Sequence, residues 1–157
     1  MRRIDPAKLI ASLAVAFSAA AIGSLATIPN IPTWYEALEK PFFSPPNWVF
    51  GPVWTLLYTL IGISLYLVWS AKTKHSKRNA YLAFGIQLAL NALWSLVFFG
   101  LQQPWLGVGV IIALLVMIIL TMREFWPIRR YAAYLLVPYL LWVCFATCLN
   151  IAVALLN

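Results

Sequence analysis

Five long apolar runs, separated by short polar or proline-rich stretches, make up most of the chain. They fall at about 9–28, 48–70, 80–100, 105–122 and 131–156. Each is close to the roughly 20 consecutive apolar residues that a helix needs to cross a bilayer. The pattern predicts an all-α membrane protein, a single domain over residues 1–157 built as a five-helix bundle.

The first run follows a basic head, Arg2, Arg3 and Lys8. Together with Ser24-Leu25-Ala26 it looks like a secretory signal, but it is longer than the usual signal core and reads as a retained span. Small residues recur every four along it, at Ala16, Ala20 and Ser24 and at Ala19, Gly23 and Thr27, a spacing that lets another helix approach closely. Residues 29–47 hold Pro29, Pro32, Pro41, Pro45 and Pro46, which predicts a loop without regular helix. The same stretch carries Trp34, Tyr35, Phe42 and Phe43, more than a flexible linker needs, and suggests a stiffened aromatic lid. Pro52 falls in the first turn of the second run, where proline is tolerated. Pro138 lies inside the fifth, predicting a kink and a carbonyl freed near its midpoint.

Composition and charge sharpen this picture. The chain is 64% hydrophobic and 10% charged, against about a quarter charged in a soluble domain. A net charge of +7 would suggest nucleic acid on a soluble protein. Here the basic residues lie between apolar runs and mark topology instead. The N-terminus, the 71–79 hinge and the 123–130 turn hold ten of the eleven lysines and arginines, and the opposite side has only Lys40. That bias places the N-terminus on the positive, cytoplasmic side and the aromatic loop on the other. Trp48, Trp69, Trp105 and Trp126 fall near span ends, at the level of aromatic belts.

No Asp, Glu, Lys, Arg or His lies deep in any run. This argues against proton relays, ion-coupled carriers and Schiff-base proteins, and against general acid–base catalysis within the membrane. His75 sits in a charged hinge and reads as a solvated residue. Cys144 and Cys148 are four apart on one helix, do not readily bridge, and have no His or further Cys nearby to form a metal site. They read as two small hydrophobes. What remains is uncharged. Gln87, Asn91 and Ser95 share one face of the third run with Trp94 and Phe98, while Gly85, Ala89 and Ala92 lie opposite. The amides admit two readings, hydrogen bonds between helices or groups facing a ligand. The fifth run adds Tyr139, Trp142, Phe145, Ala146 and Thr147, and the second adds Trp54 and Tyr58. Such aromatic faces suit a flat conjugated ligand held by offset stacking.

Four blocks of these residues carry a resemblance. They are Trp34-Tyr35-x2-Leu38-x-Lys40-Pro41-x3-Pro45-Pro46-x-Trp48-x-Phe50; Pro52-x-Trp54-x2-Leu57-Tyr58; Gln87-Leu88-x-Leu90-Asn91 with Phe98-Phe99-Gly100; and Pro138-Tyr139-x2-Trp142-x2-Phe145-Ala146-Thr147-x-Leu149-Asn150. In order and spacing the chain resembles the TspO/MBR family, the tryptophan-rich sensory proteins and the mitochondrial translocator protein. The resemblance implies five membrane helices, often as a homodimer, for which the Gly85/Ala89 face is suited. It implies a pocket under the first loop that binds porphyrins such as protoporphyrin IX, and flat drugs such as isoquinoline carboxamides, with no required cofactor or metal. By motif position the ligand-binding residues are Tyr35, Pro45, Trp54, Asn91, Trp105, Trp142 and Ala146, with Trp94 adjoining them. Trp54 and Trp142 match tryptophans tied in some bacterial members to light-dependent porphyrin breakdown. The cholesterol motif of animal members needs a Tyr and then a basic residue, and Ile151 to Asn157 supply neither. A membrane receptor or sensor is the expected function. Photochemical porphyrin degradation, passive tetrapyrrole or lipid translocation, and a bare scaffold are the alternatives.

Overall fold

A computed structural model describes residues 4–157; Arg2 and Arg3 of the basic head lie outside the described residues. Five helices are long and apolar enough to cross a membrane: Pro6–Tyr35, Asn47–Trp69, Arg78–Gly100, Pro104–Phe125 and Arg130–Leu156. Their regular α-helical parts are α1 (Pro6–Asn30), α2 (Phe50–Trp69), α3 (Arg78–Ser95), α4 (Pro104–Phe125), α5 (Arg130–Leu135) and α6 (Val137–Leu156), the last two forming one span. No strand occurs among the described residues.

α1 starts where the sequence supplies both an N-cap and a proline. The Asp5 side chain accepts the Lys8 N–H at 3.2 Å, and Pro6 occupies the first turn. Its other end departs from the expected loop. The helix runs through Pro29 to Asn30, then widens into a π turn, Ile31–Tyr35, that carries Pro32. Each proline removes an N–H and crowds the preceding turn, and widening relieves that crowding. Nearby side chains cover backbone oxygens: Asn30 Nδ2 donates to the Ala26 carbonyl at 2.8 Å, and Thr33 Oγ1 to that of Pro29 at 2.9 Å. In an apolar surrounding, backbone groups satisfied within the segment outweigh the proline penalty.

Pro138 also acts differently from a mid-span kink. The helix breaks at Leu136, near the start of the span, and Pro138 falls in the first turn of α6, where its missing N–H costs nothing. The Leu136 N–H turns back to the Ala133 carbonyl at 3.1 Å. That leaves the Ala132 carbonyl free, and the buried Ser64 hydroxyl of α2 donates to it at 2.7 Å.

The helices form a ring in which α1 packs on α2 and α3, α3 on α4, α4 on α6, and α2 closes on the fifth span. Small residues on α1 set the inner distances, with Ala16, Ala19, Gly23 and Ala26 buried. A Cβ at Gly23 would stand 3.0 Å from Ser95 Oγ of α3, and one at Gly62 of α2 would stand 3.0 Å from the Leu13 Cα. The outer surface along the spans is mostly apolar, with Leu25, Leu56, Leu82, Ile119 and Leu141 exposed, as lipid contact requires. Cys144 and Cys148 also lie on this surface rather than inside the bundle. This is an integral multi-pass membrane protein.

Candidate functional site

The site is built on the third span, because it is packed between α1 and α4 and faces the bundle centre. Its end unwinds into a π turn, Leu96–Gly100, which turns Phe98 and Phe99 inward. Trp94 stacks on Phe98 with centroids 5.4 Å apart, and Phe99 stands edge-on to Trp94 at 5.9 Å. Tyr35, carried in by the π turn of the first span, is buried against Phe50 and Phe99.

These rings wall two cavities. The smaller, about 20 Å³, is lined by Tyr35, Phe50, Trp54, Trp94, Phe98, Phe99, Trp142, Ala146, Leu149 and Asn150. The larger, about 340 Å³, is lined by Phe17, Ala20, Gly23, Ser24, Thr27, Ile28 and Ile31 on one side and Phe50, Gly51, Trp54, Thr55 and Tyr58 on the other, over Trp94, Ser95 and Phe99. Phe50, Trp54, Trp94 and Phe99 belong to both. Phe17, Ile28, Gly51 and Thr55 are exposed, so the larger cavity opens sideways between α1 and α2.

Two asparagines hold the frame. The Tyr58 hydroxyl donates to Asn91 Oδ1, and Asn91 Nδ2 donates to the Tyr139 hydroxyl at 2.9 Å, joining α2, α3 and α6. Trp94 Nε1 donates to Asn150 Oδ1 at 3.0 Å, and Asn150 Nδ2 to the Pro104 carbonyl at 2.9 Å, joining α3, α6 and the start of α4. Gln87, on the same face of α3, is buried with neither amide atom bonded among the described residues. One more polar atom stands out. The Trp142 indole N–H is shielded and has no partner among the described residues, and Trp142 lines the smaller cavity.

The cavities thus gather Tyr35, Trp54, Trp94, Trp142 and Ala146 from the expected set. Asn91 lies behind the wall, bonded to tyrosines on both sides. Pro45 is half-buried in the loop and lines neither cavity. Trp105 is 60% exposed at the start of α4, turned outward like Trp48, Trp69 and Trp126 at other span ends. The α1 wall was hidden in the sequence. Its Ala20, Gly23, Ser24 and Thr27 carried only a helix-packing signal, and the same small side chains leave the space that forms the larger cavity.

A sequence profile of the TspO/MBR family matches residues 11–156. The chain belongs to the TspO/MBR family. It is 48% identical over 150 residues to the tryptophan-rich protein TspO of Archaeoglobus fulgidus, covering 96% of this chain and 97% of that one. It is 36% identical over 124 residues to a tryptophan-rich sensory protein of Cereibacter sphaeroides, covering 79% of this chain and 77% of that one. With the human translocator protein it shares 40% identity over 125 residues, covering 76% of this chain and 72% of that one.

The loop between the first two spans of this TspO/MBR protein is tied down by a lysine. Lys40 Nζ donates to the carbonyls of Tyr35 and Glu36, both at 2.9 Å, and of Leu38 at 3.1 Å, and stands 5.1 Å from the Tyr35 ring centroid. Asn47 Nδ2 donates to Glu36 Oε2 at 2.6 Å, and Asn157 pairs with both backbone groups of Glu39. Lys40→Ala removes three charge-assisted bonds at once, a local loss of about 1–3 kcal/mol. Hydrogen exchange of the 36–46 amides should quicken by about ten-fold or more, while the unfolding midpoint moves by only a few degrees. Unchanged exchange there would mean that the loop is held by its prolines and aromatic contacts alone.

Proposed function

We propose that this protein is a membrane receptor or sensor that binds a porphyrin, or a similarly flat apolar molecule such as an isoquinoline carboxamide, in the aromatic cavities under the first loop. The observation that carries the reading is the unpartnered Trp142 indole N–H at a cavity walled by aromatic rings. A lone buried donor is costly unless something accepts from it. A carbonyl or carboxylate at the edge of a flat ligand would do so, while Trp54, Trp94, Phe50 and Phe99 stack on its plane. The larger cavity falls within the size range of small-molecule sites and opens toward the surrounding lipid, which suits a ligand that partitions into membranes. The names of the relatives, which speak of sensing and of translocation, accord with a ligand-responsive membrane protein.

Tryptophan fluorescence quenching by protoporphyrin IX, in detergent and in the dark, tests the reading. Saturable quenching is expected, weakened about three- to ten-fold by Trp142→Phe and by Trp54→Phe through lost stacking and donor contact. Linear, non-saturable quenching identical in all three proteins would reject the pocket. A second reading, photochemical breakdown of the bound porphyrin, is favoured by one observation: Trp54 and Trp142 line the same small cavity. Illumination separates the two. Equal porphyrin loss with the parent protein and the double phenylalanine variant would leave only the receptor. Self-association fits the outward face of α3, where Gly85 and Ala89 are exposed and a Cβ at Gly85 would meet nothing within 4 Å.

A further inference from the structure

At the end of the bundle opposite the aromatic cavities, the start of α1, the end of α2 and the turn before α5 enclose an open pocket of about 460 Å³. Three cations, Lys8, Lys72 and Arg129, reach it from three separate elements. Its single carboxylate, Asp5, is already engaged: it caps α1 at the Lys8 N–H and lies 3.4 Å from Lys8 Nζ. The Asp5 N–H in turn donates to the Tyr66 hydroxyl at 3.2 Å, which fixes this corner of the pocket. Lys72 and Arg129 have no carboxylate within ion-pair distance among the described residues. The Arg129 guanidinium has the Tyr131 ring for company, 5.7 Å to its centroid.

Two further observations bear on this pocket. Lys77, beside the pocket, donates to the Trp69 and Ala71 carbonyls at 2.9 and 2.8 Å, and burial together with the charge of Lys8 holds its pKa below the ordinary lysine value. The Ser70 hydroxyl lines the pocket, is shielded from solvent, and has no hydrogen-bond partner among the described residues. An open pocket with an uncompensated guanidinium, an ammonium and a spare hydroxyl has the donor set of a phosphate site. Its level in the membrane points to the source. The pocket lies where α2 ends, beside Trp69, which is exposed in the interfacial belt, and its rim includes the apolar Ile4 and Leu67. Lipid headgroups occupy this level, and clustered basic residues at a span end attract anionic ones.

We propose that this pocket binds a phosphate group, presented by the headgroup of an anionic membrane lipid, with Lys72 and Arg129 as the paired cations and Ser70 as the neutral donor. The site is separate from the aromatic cavities and is independent of what binds there.

Native mass spectrometry of the full chain, exchanged into micelles holding equal phosphatidylglycerol and phosphatidylcholine, tests the proposal. The parent protein should retain phosphatidylglycerol with about a ten-fold preference, and Lys72→Gln/Arg129→Gln should lose that preference. Lys74→Gln/Arg123→Gln removes the same net charge away from the pocket and should keep it. Equal loss in both double variants, or no preference in the parent, would overturn the site. If the first double variant fails to fold, Lys72→Gln alone, at an exposed hinge position, should still lower the preference. In a parallel arm, inorganic phosphate is added in neutral detergent at matched ionic strength. Thermal stabilisation that Lys72→Gln/Arg129→Gln abolishes would keep the phosphate site but assign it to the free anion. No stabilisation, with lipid preference intact, assigns it to the headgroup.

Discussion

Asn91→Leu should lower the stability of the folded bundle by about 2–4 kcal/mol, with the unfolding midpoint in detergent falling by several degrees. Asn91 accepts from the Tyr58 hydroxyl and donates to that of Tyr139, and all three side chains are buried. Leucine has the same four-heavy-atom side chain branched at Cγ, so the overall shape is nearly conserved. The cost comes from two phenol hydroxyls left without a partner in a place water does not reach. The magnitude is set between the larger penalty of a soluble core and the smaller one usual for helix–helix hydrogen bonds in membranes. A cycle with Tyr58→Phe and Tyr139→Phe isolates this cause. Each phenylalanine change removes one stranded hydroxyl, so Asn91→Leu should cost much less in the Tyr58→Phe/Tyr139→Phe background than in the parent. An equal cost in both backgrounds would show that Asn91 acts through packing. Porphyrin quenching provides a second readout. The framing role predicts that affinity measured well below the unfolding midpoint changes less in Asn91→Leu than in Trp142→Phe.

Gly62→Leu should do still more damage, about 3 kcal/mol or more, with poor yield of folded protein. A Cβ at Gly62 would lie 2.8 Å from Leu13 Cδ2, 3.0 Å from Leu13 Cα and 3.3 Å from the Ser12 carbonyl oxygen. The methyl of Leu13 can swing aside, but its Cα and the Ser12 carbonyl belong to the α1 backbone and can move only with the helix. Displacing α1 breaks its packing against both neighbours, α2 and α3. Thermal unfolding of purified protein in detergent checks the effect, with Gly51→Ala as a comparison, since a Cβ there meets nothing within 4 Å. A Gly62→Leu protein that unfolds within about two degrees of the parent would show that α1 is free to shift at little cost.

The two predictions differ in how visible their causes are along the chain. Gln87, Asn91 and Ser95 recur every four residues, so a polar face on the third span could be read directly. Nothing local said that Asn91 would be held between two tyrosines from the second and fifth spans, with Gln87 left unbonded. Gly62 carries no such local signal, because a glycine in an apolar helix has meaning only through what passes beside it. The prolines show the same limit from the other side. Local rules end a helix at Pro29, but Asn30 and Thr33 cover nearby carbonyls and the helix carries Tyr35 into the site. Local rules place a kink near mid-span at Pro138, but it begins a helix instead, because the Leu136 N–H bonds one residue short, at Ala133, and Ser64 takes the Ala132 carbonyl that this frees.

A bundle of five membrane helices without buried charge, and membership of the TspO/MBR family, are legible along the chain alone. Both follow from local quantities: the length and hydropathy of each run, and residues in a given order and spacing. Which aromatic rings share a cavity is set by the packed structure. It set Trp105 outward while bringing Tyr35, Trp54, Trp94 and Trp142 to one wall. It also opened a lateral cavity beside the small residues of α1 and drew Lys8, Lys72 and Arg129 to a single pocket. Such groupings depend on the rotation of each helix about its axis. In an apolar bilayer hydrophobicity scarcely biases that rotation, and it is selected by close contacts at glycines and by buried hydrogen bonds between residues far apart in the chain.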